Sequence, residues 1–200
     1  ESPDVRPIGV GNNRRRAWTG QLIEDHAHNF ASVMWPTQVA VGVKAGICKM
    51  VFAITAHMEA NPTHILLKLD FTNAFNSMMR DSVLDVILSN PNWQQYYRFL
   101  WCTLAPSGII DVLESLSEEG MQQGDTWGSA GFCIGLHPDV QWTHEQLQDR
   151  GGMAVFDMDD GYLAGPADAV FQTATDLATR VLSRTGSPST CANVLLGHQR

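Results

Sequence analysis

The sequence predicts an α+β domain in which helices pack behind a small antiparallel sheet. Three observations predict this class. Apolar residues recur at helical spacing in several segments, the apolar run ILLKLD ends at Asp70, and residues 153–163 read as two short strands around a tight acidic turn with Gly161. At 200 residues and 44% hydrophobic content, the chain has enough apolar side chains for a buried core.

The individual elements follow from local signals. Helices are predicted where apolar residues recur every three to four positions, and Pro36, Pro62 and Pro91 follow the ends of three of them. The predicted helices span about 14–34, 47–60, 80–89, 93–104, 129–136 and 167–183. The predicted strands are 64–70 and the two arms of the hairpin, with another within 109–116. Residues 35–46 are predicted to form a strand or loop, and residues 71–77 a turn.

Composition excludes several classes of protein. No run of about 18 apolar residues is present, so we expect no membrane partner. The four cysteines are scattered without a C-x-x-C pair, which favours buried thiols in a reducing, intracellular setting over a zinc site, although disulfides stay open. The histidines show no ligand spacing, and we predict core or surface positions for them. Because the chain starts at Glu1, we expect it to be a piece of a longer protein.

Charge is distributed unevenly along the chain. The net charge of -8 argues against a generic nucleic-acid binder, whose affinity comes from Lys and Arg on phosphates. Residues 1–80 nevertheless hold eight basic and six acidic side chains, whereas the remaining 120 residues hold five and fifteen. Phosphate contacts are therefore expected in the first part, where 14–16 is an Arg triplet that is equally well explained as a solvated helix face.

Carboxylates at adjacent strand ends are the most informative chemical feature. Asp159 and Asp160 occupy the tip of the predicted hairpin, and Asp70 ends another predicted strand. Hard divalent cations such as Mg²⁺ prefer oxygen ligands, and two such ions can clamp the attacking and leaving oxygens of a phosphoryl transfer. The alternative for an isolated DMDDG segment is a solvated acidic turn.

Three sequence blocks, taken with two segments upstream, resemble a known family. In order they are DVRPIGVGNNRRR, PTQVAVGVKAG, DFTNAFNS, EEGMQQGDTWGSAGF and FDMDDGYLAGP. Their content and order resemble the polymerase motifs of reverse transcriptases, most closely those of non-LTR-type retroelements. The resemblance runs from Arg6 to about Cys191 and implies the palm of a right-hand polymerase, with an antiparallel sheet, helices behind it and partial fingers.

The resemblance implies an RNA-directed DNA polymerase that uses an RNA template, a DNA primer and deoxynucleoside triphosphates. Asp70 and Asp159 would be shared ligands of two Mg²⁺ (or Mn²⁺) ions, and Asp160 a supporting acid in the same metal site. These three residues are the expected catalytic set. The oligomeric state is not predicted.

The same resemblance implies a nucleotide-binding set. Backbone near Phe71 would contact the triphosphate, and Phe75 would lie under the sugar, where a 2′-OH would clash with its ring. Gln123 and Gly124, in a QGD signature, would contact nucleotide or template, and Arg6 a phosphate or the template. The alternatives are a core position for Phe75, a polar turn for QGD and a structural ion pair for Arg6.

Three parts of the sequence depart from the family pattern. Asp157 replaces an aromatic residue and adds a third carboxylate, which raises mutual repulsion. Thr126-Trp127-Gly128-Ser129 replaces the usual Pro-Leu-Gly-Pro, and Thr190 or Asn193 stands where the family carries a lysine with a general-acid role. These departures leave open a degenerate, non-catalytic reverse-transcriptase-like domain that serves as a binding or structural module.

The expected organisation is one continuous domain fragment, with partial fingers at 1–65, palm at 66–200 and no thumb. A further alternative is an RNA-templated RNA polymerase. Phe75 argues against it, because enzymes that polymerise ribonucleotides avoid a bulky residue at that position.

Overall fold

A computed structural model describes residues 13–71, 74–104, 108–110, 115–117, 120–121, 126–185 and 192–197. Its helices are α1 (Asn13–Asp25), α2 (Ala27–Met34), α3 (Gly46–Ala60), α4 (Ala74–Ser77), α5 (Arg80–Ser89), α6 (Tyr97–Leu104), α7 (Thr126–Gln148) and α8 (Ala167–Thr185), with a 3₁₀ turn at Gln94–Tyr96. Its strands are β1 (Ile65–Phe71), β2 (Gly108–Ile110), β3 (Ser115–Ser117), β4 (Met153–Asp157), β5 (Asp160–Gly165) and β6 (Ala192–Gly197). Within these ranges, no helix is long and apolar enough to cross a membrane.

The central sheet has four strands in the order β4-β5-β1-β6, and every neighbouring pair is antiparallel. Strands β4 and β5 form a tight hairpin, and β1 pairs with both β5 and β6. Strands β2 and β3 form a separate two-stranded ladder. The α+β prediction is therefore confirmed, including the antiparallel sheet.

Helices pack against one face of β1, β4 and β5. Because side chains alternate along a strand, Leu67, Leu69 and Phe71 of β1 point to one face, where they join a single core with residues of α5, α7 and α8. The central helix α7 is buried along most of its length. Because burying apolar surface contributes about 25 cal/mol per Å², we expect this layer to be the main source of stability.

The opposite face of the sheet carries a smaller cluster and is only partly covered. Met50 of α3 packs with Val39 and Val155, and partly buried Met153 and Tyr162 extend this cluster along β4 and β5. The end of the sheet that is nearest the β4–β5 turn holds polar side chains on this face. Helix α3 therefore lies next to the polar end of this face.

Several predicted boundaries were wrong. The long N-terminal helix is interrupted at His26, and residues 71–77, predicted as a turn, contain the short helix α4. The helix predicted to end near Leu136 continues through Pro138 to Gln148. Proline normally ends a helix, but Leu136 and Val140 are both buried, so packing on either side of Pro138 maintains α7.

The structure also differs from the prediction in two places in its strands. The single strand within 109–116 is instead two short strands that pair with each other, and β6, which was not predicted, extends the sheet beyond β1. The predicted division into fingers at 1–65 and palm at 66–200 stays a prediction.

Candidate active site

Three carboxylates lie on three neighbouring strands at one end of the sheet. Asp70 of β1 is directly opposite Asp160 of β5, and Asp160 is directly opposite Asp157 of β4. Directly opposite residues share a face, with Cβ atoms about 4.5–5.5 Å apart. All three are partly exposed, on the face that α5, α7 and α8 do not cover. Alternation alone places Asp70 there, because its neighbours Leu69 and Phe71 are in the core.

Asp159 occupies the two-residue turn between β4 and β5, next to Met158. Met158 has φ 57°, in the left-handed region that non-glycine residues rarely adopt. A positive φ at the first turn residue is typical of the two-residue turns that match the twist of a hairpin. Asp159 therefore lies beyond the strand ends, in a turn whose strained backbone at Met158 must be stabilised by contacts with other residues.

Gln38 supplies that support. Its side-chain carbonyl accepts a hydrogen bond from the Met158 backbone N–H at 3.0 Å, and its amide donates to the Met158 carbonyl at 3.2 Å. The same carbonyl accepts from the backbone N–H of Ala40 at 3.2 Å. Gln38 is fully buried, so these bonds form away from competing water. One amide thus satisfies both backbone groups of the strained residue.

The segment that carries Gln38 runs alongside β4. The Val39 N–H donates to the Phe156 carbonyl at 2.9 Å, and the Phe156 N–H donates to the Thr37 carbonyl at 2.8 Å. Gly46 permits the tight fold of this segment, because a Cβ there would collide with the Val39 carbonyl. Gly42 has φ 73°, and its Cβ would collide with the Ala27 carbonyl. The glycines of PTQVAVGVKAG therefore bring Gln38 to the turn.

Lys68 forms an ion pair with one of the three neighbouring aspartates, Asp160. Its Nζ lies 3.0 Å from Oδ1 of Asp160 and 5.8 Å from the centre of the Tyr162 ring. The hydrogen bond to Asp160 raises the pKa of Lys68; the negative charges of Asp160 and Asp70 act in the same direction, and burial opposes them. Lys68 therefore stays cationic and offsets part of the repulsion among the carboxylates.

The charged form of Asp157 is destabilised by its surroundings. Burial raises the pKa of Asp157, and the charge of Asp160 raises it further. On the buried side of the hairpin, burial raises the pKa of the Cys133 thiol, and the charges of Asp157 and Asp159 add to this effect. The hairpin tip thus concentrates negative charge next to the first half of α7.

The two predicted aromatic site residues are held by ring stacking. Phe71 is buried and stacks on Phe156, with ring centres 6.5 Å apart. Phe75 of α4 is half-buried and stacks on Phe132 of α7 at 4.7 Å. Its backbone carbonyl accepts a hydrogen bond from the Met121 N–H at 2.7 Å. One ring face of Phe75 is therefore fixed against the core.

The structure brings together only part of the predicted site. Asp70 and Asp160 are paired across strands, and Asp159 lies on the adjoining turn. Gln123, Gly124 and Arg6 lie outside the described residues. Asp125, the last residue of the QGD signature, and Thr190 also lie outside them. Asn193 is on β6, opposite Asp70.

Sequence reasoning missed Gln38 and Lys68 as site residues. Gln38 belongs to a segment whose family resemblance was recognised, but nothing in its spacing shows a contact with residue 158. Lys68 is a polar residue within the apolar run ILLKLD. In a half-buried strand, residues two positions apart point to the same face, so the sequence alone placed Lys68 beside Asp70.

The carboxylates suit a hard cation in chemical type. Among the residues that the structure describes, no group of three or more His, Cys, Asp or Glu side chains is placed to hold a metal ion. Mg²⁺ is commonly held by one or two carboxylates plus substrate phosphates and water, which requires no complete protein cage. Asp70 and Asp160, with Asp159 beside them, provide oxygen donors of that kind.

Comparison with known proteins finds no matching family model and no matching curated protein. Solved structures do match. Telomerase from Candida tropicalis, truncated from its C-terminal domain, aligns over 93% of this chain with a TM-score of 0.58 and 11% identity. Apo telomerase from the same organism aligns over 90% with a TM-score of 0.61 and 8% identity. Telomerase from Candida albicans, in complex with the TWJ fragment of telomeric RNA, aligns over 94% with a TM-score of 0.58 and 12% identity.

These similarities are similarities of fold. The chain spans 41%, 37% and 35% of the three telomerase chains. Telomerase is a reverse transcriptase, and the chain therefore has a reverse-transcriptase-like fold. The low identities carry no conclusion about activity.

Proposed function

We propose that this chain is the fingers and palm region of an RNA-directed DNA polymerase of a non-LTR-type retroelement. The observation that carries the proposal is the cross-strand pairing of Asp70 with Asp160, beside the Asp159 turn, in a reverse-transcriptase-like fold. The five sequence blocks in family order support it independently.

In this proposal, Asp70 and Asp159 would hold two Mg²⁺ ions and Asp160 would support them. The ions would lower the pKa of the primer hydroxyl and neutralise charge on the transferred phosphate. Gln38 keeps the Asp159 turn in one conformation, and Lys68 limits repulsion among the carboxylates. Each of these chain residues thus acts by positioning oxygen donors before substrate arrives.

Phe75 and the charge distribution bear on the other proposed partners. Phe75, fixed on Phe132, would exclude a 2′-OH and so select deoxynucleotides. An RNA template and a DNA primer would approach from the mildly basic first part of the chain, because the remainder carries a net charge of -10. An intracellular location belongs to the same proposal.

Asp157 favours a second candidate, a degenerate domain without catalysis. Its carboxylate lies opposite Asp160, and its raised pKa shows that the fold stabilises the charged form poorly. A non-catalytic copy would keep the sheet and helices as a binding or structural module. Retention of Asp70, Asp159 and Asp160 favours the catalytic proposal instead.

The test is primer extension on an RNA template with Mg²⁺ or Mn²⁺, using the full-length protein. We expect extension by the wild type, loss of at least about 10³-fold with Asp159→Asn, and unchanged extension with Asp149→Asn, an exposed acid after α7. Extension that survives Asp159→Asn would contradict the metal-ligand assignment. A folded wild type without extension would support the degenerate module.

A further inference from the structure

Two histidines that the sequence separates by seven positions meet at the junction of α3 and β1. Nε2 of His57, in the last turn of α3, lies 3.0 Å from Nδ1 of His64, the residue before β1. Their ring centres are 5.1 Å apart and the planes are tilted by 36°. Both rings are partly exposed. This pair lies outside the carboxylate site and has no part in the proposed reaction.

The connection between the two histidines is fixed independently of their rings. The backbone N–H and the side-chain amide of Asn61 both donate to the His57 carbonyl, at 3.0 and 2.9 Å. The His64 backbone N–H then donates to the Asn61 carbonyl at 3.0 Å. Because the turn is already closed, a ligand that bridges the rings has little conformational entropy left to overcome.

The electrostatic environment suits a cation between the rings. Burial lowers the pKa of His57, and the neighbouring His64 lowers it further, so the His57 imidazole is neutral at physiological pH. Neutral imidazole is the form that binds metals. The C-terminal end of a helix also carries partial negative charge, and His57 lies in the last turn of α3.

The separation of the two nitrogens is compatible with one class of metal-coordination geometry. Two imidazole nitrogens about 2.05 Å from one metal lie about 2.9 Å apart at a right angle and about 3.3 Å apart at a tetrahedral angle. The observed 3.0 Å is the length of a hydrogen bond between the two rings, and it is also close to the right-angle value. A bound ion would replace the shared hydrogen, which would move to the other nitrogen of its own ring. Right-angled nitrogen ligands are typical of Cu²⁺ and Ni²⁺, whereas Zn²⁺ prefers tetrahedral sites.

We propose that His57 and His64 form a two-imidazole site for a divalent transition-metal ion with tetragonal geometry, Cu²⁺ or Ni²⁺. The two nitrogens occupy adjacent positions, and water completes the coordination. Binding would tie the end of α3 to the start of β1, the strand that carries Asp70. The site is separate from the carboxylates and does not depend on polymerase activity.

The test is titration of the 200-residue chain with up to one equivalent of Cu²⁺, followed by electron paramagnetic resonance. The expected wild-type spectrum shows two equatorial imidazole nitrogens. His57→Gln and His64→Gln should each lose one nitrogen and weaken binding by at least about tenfold. His28→Gln, which changes an exposed histidine of α2, should match the wild type.

Circular dichroism must first show that the variants are folded, so that a loss of Cu²⁺ binding is not caused by unfolding. A wild-type spectrum without two imidazole nitrogens would overturn the proposal and leave a hydrogen-bonded histidine pair. The proposal would also be overturned if either variant bound Cu²⁺ as tightly as the wild type. Tighter binding of Zn²⁺ than of Cu²⁺ would contradict the assigned geometry.

Discussion

The side-chain amide of Gln38 holds both backbone groups of Met158, which is 120 residues away in the sequence. Met158 precedes Asp159 and has a positive φ, so the conformation of the acidic turn depends on a residue outside the hairpin. The polar end of the sheet is therefore assembled from two distant parts of the chain.

Gln38→Ala should lower the free energy of unfolding by about 1–3 kcal/mol, because the Met158 N–H and carbonyl would lose their buried partners. Urea unfolding followed by tryptophan fluorescence measures the change. The matched control is Gln21→Ala, whose exposed bond to Asp25 should contribute less than about 0.5 kcal/mol. Equal effects of the two substitutions would contradict the role assigned to Gln38.

Lys68→Met should lower the free energy of unfolding by about 0.2–1 kcal/mol in the absence of divalent ions, because the partly exposed pair with Asp160 is lost. Added Mg²⁺ should then stabilise the variant more than the wild type, since an ion no longer competes with Lys68 for Asp160. Thermal melts with and without Mg²⁺ measure both effects, with Lys44→Met as an exposed control. An identical response to Mg²⁺ in all three proteins would contradict this competition.

Asp157→Asn should stabilise the protein, and the gain should depend on pH. The folded state raises the pKa of Asp157 above its ordinary value of 3.8, so the wild type binds more protons folded than unfolded. Its stability therefore falls as the pH rises from below 3.8 through the folded pKa, and Asn removes this loss. Unfolding free energies measured across that range should coincide at the acid end and separate above it. A constant difference would rule out titration of Asp157 as the cause.

Under the proposed polymerase function, Phe75→Ala should weaken the preference of the full-length protein for deoxynucleotides, because the ring that would block a 2′-OH is absent. We expect the ratio of kcat/KM for deoxy- over ribonucleotides to fall by about tenfold or more, a change of about 1.4 kcal/mol in discrimination. Single-nucleotide incorporation kinetics measure it, with Phe75→Tyr as the control that keeps the ring. An unchanged ratio in a folded Phe75→Ala variant would identify the ring as core packing alone.

Local patterns predicted most of the fold. The hairpin was visible because a short acidic segment separates two apolar arms, and β1 because an apolar run stops at Asp70. The predicted turn was misplaced, because Asp160 and Gly161 belong to β5 and the turn is Met158-Asp159. The extent of α7 could not be read in this way. Pro138 normally signals a helix end, and only the burial of Val140 and Leu147 shows why the helix continues.

The candidate site was predicted in part for the same reason. Asp70, Asp159 and Asp160 stand out because carboxylates at strand ends are unusual. The antiparallel register places Asp70 opposite Asp160, and their role as a catalytic set stays a prediction. The contact of Gln38 with the turn is tertiary, and no periodicity in the sequence encodes it. The pairing of His57 with His64 likewise depends on how the turn around Asn61 closes.

The docking of residues 37–39 along β4 also matters for solubility. In the order β4-β5-β1-β6, β4 is an outer strand, and outer strands present unpaired backbone groups on which other molecules can add strands. Thr37 and Val39 bond to Phe156 and so occupy that edge. A shortened protein that begins after this segment would expose the apolar strand MAVFD and is expected to self-associate through it.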